Sequence, residues 1–236
     1  MDNHQPDIVL YFLEASRAIR IAWLLEELAL PYTLVRGKRL PQGAGEPDFK
    51  KCVPTRLQKS PTIKDGNLVV QESSAICEYI INTYAPTSRL LPDGTRERAK
   101  VREWMAAAES TFMEHGLAQF YPRLVFQEGR HYLLPYEASL KFLVHRDMDW
   151  LEEELENSAS GGIFLVGDSL TAADVMMGFS IEWLFDRRLG TDGGEWPRIW
   201  KWFDGITARP AYRTAVEKTK YSVTDLGDLG LPPSDQ

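Results

Sequence analysis

The chain has 236 residues, 44% hydrophobic and 26% charged, with a formal net charge of −7. That length suffices to bury a core in one large domain or two small ones. The acidic balance argues against nucleic acid as a partner, because phosphate binding needs a basic field. Cys52 and Cys77 are the only cysteines and form no Cys-x-x-Cys pair, which sets aside a disulfide framework or structural zinc site and suits a reducing, cytoplasmic setting. No apolar run approaches the roughly 20 residues that cross a bilayer. Residues 1–7 lack the basic and apolar regions of a signal peptide and read as a loose tail.

In chain order, residues 8–12 form an apolar and aromatic run that reads as a buried strand. Residues 17–30 carry Ile21, Leu24, Leu25 and Leu28 at helical spacing, with Glu26 and Glu27 expected to face out. Leu30-Pro31 stops this helix, and residues 32–35 read as a second strand. A helix between two strands favours parallel pairing with a right-handed crossover. Residues 37–54 are irregular, with room for a short helix at 47–51. Residues 62–64 and 68–70 flank Asp65-Gly66-Asn67, which predicts an antiparallel hairpin. Residues 72–84 then read as a helix. The order βαβ, loop, ββα is that of a thioredoxin-like α/β domain.

Residues 85–95 hold two prolines and polar residues and read as a linker, dividing the chain into domains at 1–84 and 96–236. Beyond it strand signals vanish. Helices are predicted at 96–120, 135–157, 171–188, 196–208 and 210–218, followed by an extended tail at 222–236. The fold class is therefore a thioredoxin-like N-terminal domain plus an all-α C-terminal domain.

Four stretches carry chemistry. Ser60-Pro61 opens a strand after a long loop; the bond is either an ordinary trans link or a cis bond that exposes the Ser60 backbone to an extended ligand. Glu72-Ser73 opens a helix, where the two residues either cap its donors or receive the carboxylate and ammonium of an amino-acid end. Tyr11, Ser16 and Arg17 flank the first strand-to-helix turn. They read either as core, cap and surface residues or as groups that favour a thiolate over a thiol. Thr171-Ala172-Ala173-Asp174 has the form of a capping box with Asp in place of Glu and reads as structural. His4, His115, His131 and His145 lack metal-ligand spacing, and no nucleophile elbow or phosphate-cradling loop is present, so no metal is expected.

Taken together these stretches resemble the cytosolic-type glutathione transferases over residues 8–220. Residues 16–28 resemble that family's first helix, Ser60-Pro61-Thr62-Ile63 its cis-proline strand, and Gln71-Glu72-Ser73-Ser74-Ala75-Ile76 its acidic-Ser motif. Residues 171–174 match its N-capping box, and Trp202 with Arg209-Pro210-Ala211-Tyr212 its late Trp…Arg-Pro-Ala-Tyr segment. The resemblance implies a homodimer that binds glutathione through Ser60, Pro61, Glu72 and Ser73, with Lys38 or Lys59 holding the glycyl carboxylate. It implies conjugation of glutathione, as co-substrate, to a small electrophile in detoxification, or glutathione-dependent peroxide reduction. The electrophile would lie near Trp104, Phe112, His115 and Phe120. One departure stands out. Leu13 lies four residues before Arg17, where several classes carry Ser or Cys. That leaves Ser16, Tyr11 or backbone N–H groups to face the sulfur, with Arg17 adding positive field. It also leaves open a protein that keeps the fold as a non-catalytic binding or regulatory module. The run 20–28 is closer to fungal and bacterial transferase-like classes.

Overall fold

A computed structural model describes residues 5–126 and 130–227. Of the expected tails at 1–7 and 222–236, residues 1–4 and 228–236 lie outside the described residues. By chain contacts the molecule divides into two units, Met1–Leu91 with Ala208–Leu226, and Pro92–Thr207 with Gly227–Gln236.

The first unit is built on strands β1 (Ile8–Leu13), β2 (Tyr32–Gly37), β3 (Thr62–Asp65) and β4 (Leu68–Gln71). They pair in the order β2-β1-β3-β4, with β1 parallel to β2 and antiparallel to β3, and β3 antiparallel to β4. Alternation along β1 sorts its side chains. Ile8, Leu10 and Phe12 are almost wholly buried, while Val9, Tyr11 and Leu13 join Phe49, Val53 and Val35 in a second apolar cluster. Phe49 belongs to the short helix α2 (Pro47–Cys52), which packs against β2 where Gly37 leaves room; a Cβ there would come within 2.1 Å of the Phe49 ring. Gly66 takes φ +56° in the two-residue turn that joins β3 to β4, as the hairpin reading expects.

Helix α1 (Ala18–Glu27) ends in a left-handed residue, Ala29 at φ +49°. There the Leu30 N–H donates to Leu25 O at 2.9 Å and the Ala29 N–H to Glu26 O at 3.1 Å, before Pro31 blocks continuation. Glu26 and Glu27 do not face out as expected. Helix α9 (Pro210–Thr219) packs along α1 and buries both carboxylates to 11% side-chain exposure. Arg209 donates to Glu27 at 2.6 and 2.9 Å, Trp23 Nε1 donates to the same carboxylate at 2.9 Å, and Lys218 pairs with Glu26 at 2.7 Å. The chain after α9 is not extended at once: Val223–Leu226 is a turn of 3-10 helix, and Tyr221 meets Phe12 edge-on. Residues 208–226, grouped by the sequence reading with the helical half, thus make their contacts in the first unit.

Helix α3 (Ser73–Tyr84) buries Ile76, Cys77, Ile80 and Ile81, and contacts α1, β3 and β4.

The second unit is helical. Helices α4 (Thr95–Ala107) and α5 (Glu114–Val125) run on from each other through a π-helical turn, Ala108–Met113, so the expected helix at 96–120 is one rod with an inserted residue. Ser180 Oγ donates to the Ala108 carbonyl at 2.9 Å, supplying a partner where the ladder is disturbed. Helices α6 (Leu134–Asn157), α7 (Ala172–Asp186) and α8 (Pro197–Thr207) complete it. Helix α7 is buried nearly all round, and Asp174 at its start accepts from Thr171 N, Thr171 Oγ1, Leu165 N and Trp202 Nε1 at 2.9–3.2 Å. That is the capping box read from the sequence, with two further donors. Among the described residues no helix is long and apolar enough to cross a membrane.

Candidate functional site

Strand register decides what meets at one end of the sheet. Val35 pairs with Tyr11, Tyr11 with Thr62, and Thr62 with Gln71, so one row crosses all four strands. Immediately beyond that row lie the turn at 14–17, the Ser60–Pro61 step and the Glu72–Ser73 helix start. Three stretches far apart in the chain therefore converge.

The Ser60–Pro61 peptide is cis. The Ser60 hydroxyl donates to Tyr11 O at 2.9 Å, accepts from Leu13 N at 2.9 Å, and lies 3.4 Å from Ser16 Oγ. It thereby ties the loop to the turn. Pro61 and Thr62 are buried, and Thr62 Oγ1 donates to Lys59 O at 2.7 Å.

At the start of α3, Glu72 is exposed and holds φ +73°, ψ 119°, a conformation that side-chain-bearing residues rarely adopt. Neither it nor Ser73 caps the helix: among the described residues no side chain bonds the first-turn N–H groups. Ser73 itself is buried to 5% exposure. The capping role open at the sequence level is not taken up, and the donors at this helix start remain available to a ligand. Lys38 and Lys59 are exposed on the loop between β2 and β3; Lys38 is held through its backbone, which donates to Glu46 Oε1 at 3.1 Å.

At the turn after β1, Tyr11 takes the core role that the sequence left open, and Ser16 spends its hydroxyl on the turn itself. Ser16 is 5% exposed, and its hydroxyl donates to Leu13 O at 2.6 Å while accepting from Ala18 N at 3.3 Å. Its proton locks the turn. Tyr11 is 9% exposed and packs in the apolar cluster with Phe49 and Val53. Arg17 stands half-buried at the N-cap of α1. Two residues that the sequence reading passed over are central. Arg39 donates through Nε to Glu14 O at 2.7 Å, through one terminal nitrogen to Ala15 O at 3.1 Å and through the other to Gly43 O at 2.5 Å. The Glu14 carboxylate accepts from Arg39 N at 3.2 Å and from Arg36 at 2.9 Å. No local signal points to this, because the partners lie more than 20 residues apart.

The expected electrophile-site aromatics are corrected to core. Trp104 and Phe112 are wholly buried, Trp104 stacking on Trp150 at 4.3 Å, and Phe120 meets Trp183 at 5.0 Å. Helical spacing alone does not separate a lining aromatic from a packed one. His115 pairs through Nδ1 with Asp147 at 2.5 Å.

Comparison with known proteins agrees with this architecture. The model for the glutathione S-transferase N-terminal domain matches residues 8–82, and that for the C-terminal domain residues 136–210. The chain belongs to the glutathione transferase family. Glutathione S-transferase 3 of Schizosaccharomyces pombe is 29% identical over 225 residues, 90% of this chain and 88% of the relative. Glutathione S-transferase 1 of Saccharomyces cerevisiae is 25% identical over 91% and 96%. Among solved structures, a glutathione S-transferase from Actinobacillus pleuropneumoniae superposes with TM-score 0.78 at 28% identity, covering 92% of this chain and 95% of that one. A glutathione transferase homolog from Lodderomyces elongisporus, solved with two GSH per subunit, gives TM-score 0.72 at 26% identity over 90% and 98%.

Proposed function

We propose that this chain binds glutathione along Ser60, Pro61, Glu72 and Ser73 and conjugates it through its sulfur to a small electrophile. The observation that carries this reading is the uncapped start of α3, where buried Ser73 and exposed Glu72 stand beside the loop that ends at Pro61. The helix start and the Ser73 hydroxyl suit the carboxylate of the γ-glutamyl group, and Glu72 suits its ammonium. Lys38 or Lys59 holds the glycyl carboxylate. The thiol loses its proton to water beside the 14–17 turn, the S–C bond forms, and the electrophile's leaving group departs with the bonding electron pair. With the Ser16 proton spent on Leu13 O and Tyr11 packed among apolar side chains, the turn's backbone N–H groups are the donors best placed for the sulfur, Arg17 adding positive field. An organic peroxide is the second class of substrate that such a thiolate attacks.

Titration calorimetry tests the reading. Losing one hydrogen bond to a charged group costs about 1.5–3 kcal/mol, so Ser73→Ala should weaken glutathione binding by about tenfold or more. Equal affinity in the variant would overturn the placement.

One observation favours a second reading. With Leu13 where a hydroxyl or thiol is usual and the Ser16 hydroxyl engaged, the fold could serve as a glutathione-binding module without turnover. Binding with no turnover of an aryl halide, an organic peroxide or a mixed disulfide would select it. The enzyme reading extends to a cytoplasmic homodimer in detoxification, checked by light scattering and cell fractionation.

A further inference from the structure

We propose that Arg39 is a positioning residue for this reaction: it holds two successive peptide planes of the 14–17 turn so that the Ser16 N–H is presented to the sulfur of glutathione. The inference rests on the placement of glutathione proposed above.

The geometry follows from amide planarity. In a trans peptide the carbonyl of one residue and the N–H of the next lie in one plane and point in opposite directions. Among the described residues only Ser60–Pro61 is cis. The Glu14 carbonyl therefore shares a plane with the Ala15 N–H, and the Ala15 carbonyl with the Ser16 N–H. Arg39 takes both carbonyls on one guanidinium, at 2.7 and 3.1 Å. Both N–H groups are thereby turned away from it. Ala15 sits at φ +44°, in the left-handed region that tight turns use.

Three flanking donors of the turn are already used. The Leu13 N–H goes to Ser60 Oγ at 2.9 Å, the Glu14 N–H to Gly37 O at 3.1 Å, and the Ala18 N–H to Ser16 Oγ at 3.3 Å. Among the described residues no acceptor takes the Ser16 N–H, although Ser16 is only 5% exposed, while Ala15 is fully buried and its N–H is out of a ligand's reach. Backbone donors in so enclosed a place are normally satisfied, which points to a group absent from the folded chain alone.

The arrangement is also built from the other side. Arg39 is itself held by its backbone N–H on Glu14 Oε2 at 3.2 Å and by the Gly43 carbonyl at 2.5 Å, and Arg36 fixes the other Glu14 oxygen at 2.9 Å. A planar fork serves here where an ammonium would not, since the two carbonyls need donors at separate, rigidly spaced nitrogens. A thiolate is a large, diffuse anion and gains from a preoriented donor in an enclosed site.

The test uses the full-length protein with Arg39→Lys and Arg39→Ala. Thiolate ultraviolet absorbance, followed against pH with glutathione bound, reads the pKa of the bound thiol. Calorimetry with S-methylglutathione, which has no thiol to ionise, reads tripeptide binding alone. Both variants are expected to raise the bound-thiol pKa by about one unit, the order of one lost charged hydrogen bond, with S-methylglutathione affinity unchanged. Arg39→Lys keeps the positive charge, so a wild-type pKa in that variant would show a field effect and overturn the clamp. It also carries the comparison if Arg39→Ala does not fold. Equal loss of affinity for both peptides, with the thiol pKa unmoved, would overturn the inference while leaving the glutathione site in place. A wild-type protein that binds neither peptide would overturn the site and the inference with it.

Discussion

Ser16 and Ser60 divide one hydrogen-bond network between them, and their hydroxyls serve the backbone of the first turn. Replacing Ser16 by Ala removes the acceptor of Ala18 N and the donor to Leu13 O in a buried place. The expected loss is about 1–3 kcal/mol in denaturant unfolding, with glutathione affinity of the folded fraction retained. A collapse of affinity at unchanged stability would instead make Ser16 a ligand contact. Cys77 has another fate. It is fully buried in α3, and burial pushes its thiol up to about 12, against the opposing pull of the Arg20 guanidinium. Cys52 is exposed. A disulfide reagent at mildly alkaline pH should titrate one thiol in the native protein and the second only after unfolding; two fast thiols would refute the burial. Asp147 offers a pH signature. Burial raises its carboxyl above the usual range, with His115 pulling the other way. A group raised in this way costs stability once ionised. That cost is absent below the unfolded carboxylate range, grows as pH rises through the folded value, and stays constant above it. Asp147→Asn, which can still accept from His115, should therefore melt higher than wild type at neutral pH, with the gap closing in acid. A variant less stable at neutral pH would show that the ion pair outweighs the burial.

At the scale of elements, much of the chain could be read locally. The Asp65-Gly66-Asn67 turn, the Pro31 stop and the Thr171–Asp174 box each act within a few residues, so short-range chemistry specifies them. The face of α1 that carries Glu26 and Glu27 could not be read, because a carboxylate on a helix looks the same in sequence whether water or another helix covers it. Here α9 covers it, and Glu27 collects Arg209 and Trp23 at once. Removing that carboxylate leaves an indole N–H and a guanidinium short of an acceptor. Glu27→Ala should cost about 2 kcal/mol by chemical denaturation. The neighbouring Lys218 is 54% exposed, so Lys218→Ala should cost less than about 1 kcal/mol. If the two changes cost the same, the distinction by burial fails.

For the whole molecule, the consequence is a first unit that is not contiguous in sequence. Its sheet and helices come from the first 91 residues, while α9 and the turn at Val223–Leu226 return from the far end of the chain. Trp23, 2% exposed, meets Tyr212 of α9 edge-on at 5.2 Å. A chain ending at residue 207 would uncover that tryptophan and both glutamates of α1. It should lose cooperative melting of the first unit and glutathione binding together, read by circular dichroism and calorimetry. Retention of both would mean that α9 is an appendage.

The order of strands and helices, the hairpin turn and the capping box were determined by the sequence itself, since hydrophobic period and turn chemistry act over a few residues. Tertiary structure alone decided that Arg39 grips the Glu14 and Ala15 carbonyls, that Ser16 turns its proton inward, that Trp104 and Phe112 are core, and that Arg209 closes on Glu27 across 182 residues. The physical reason is common to all four: a guanidinium, a hydroxyl or an aromatic ring has no preferred partner until folding brings distant surfaces together and removes the water that would otherwise satisfy it.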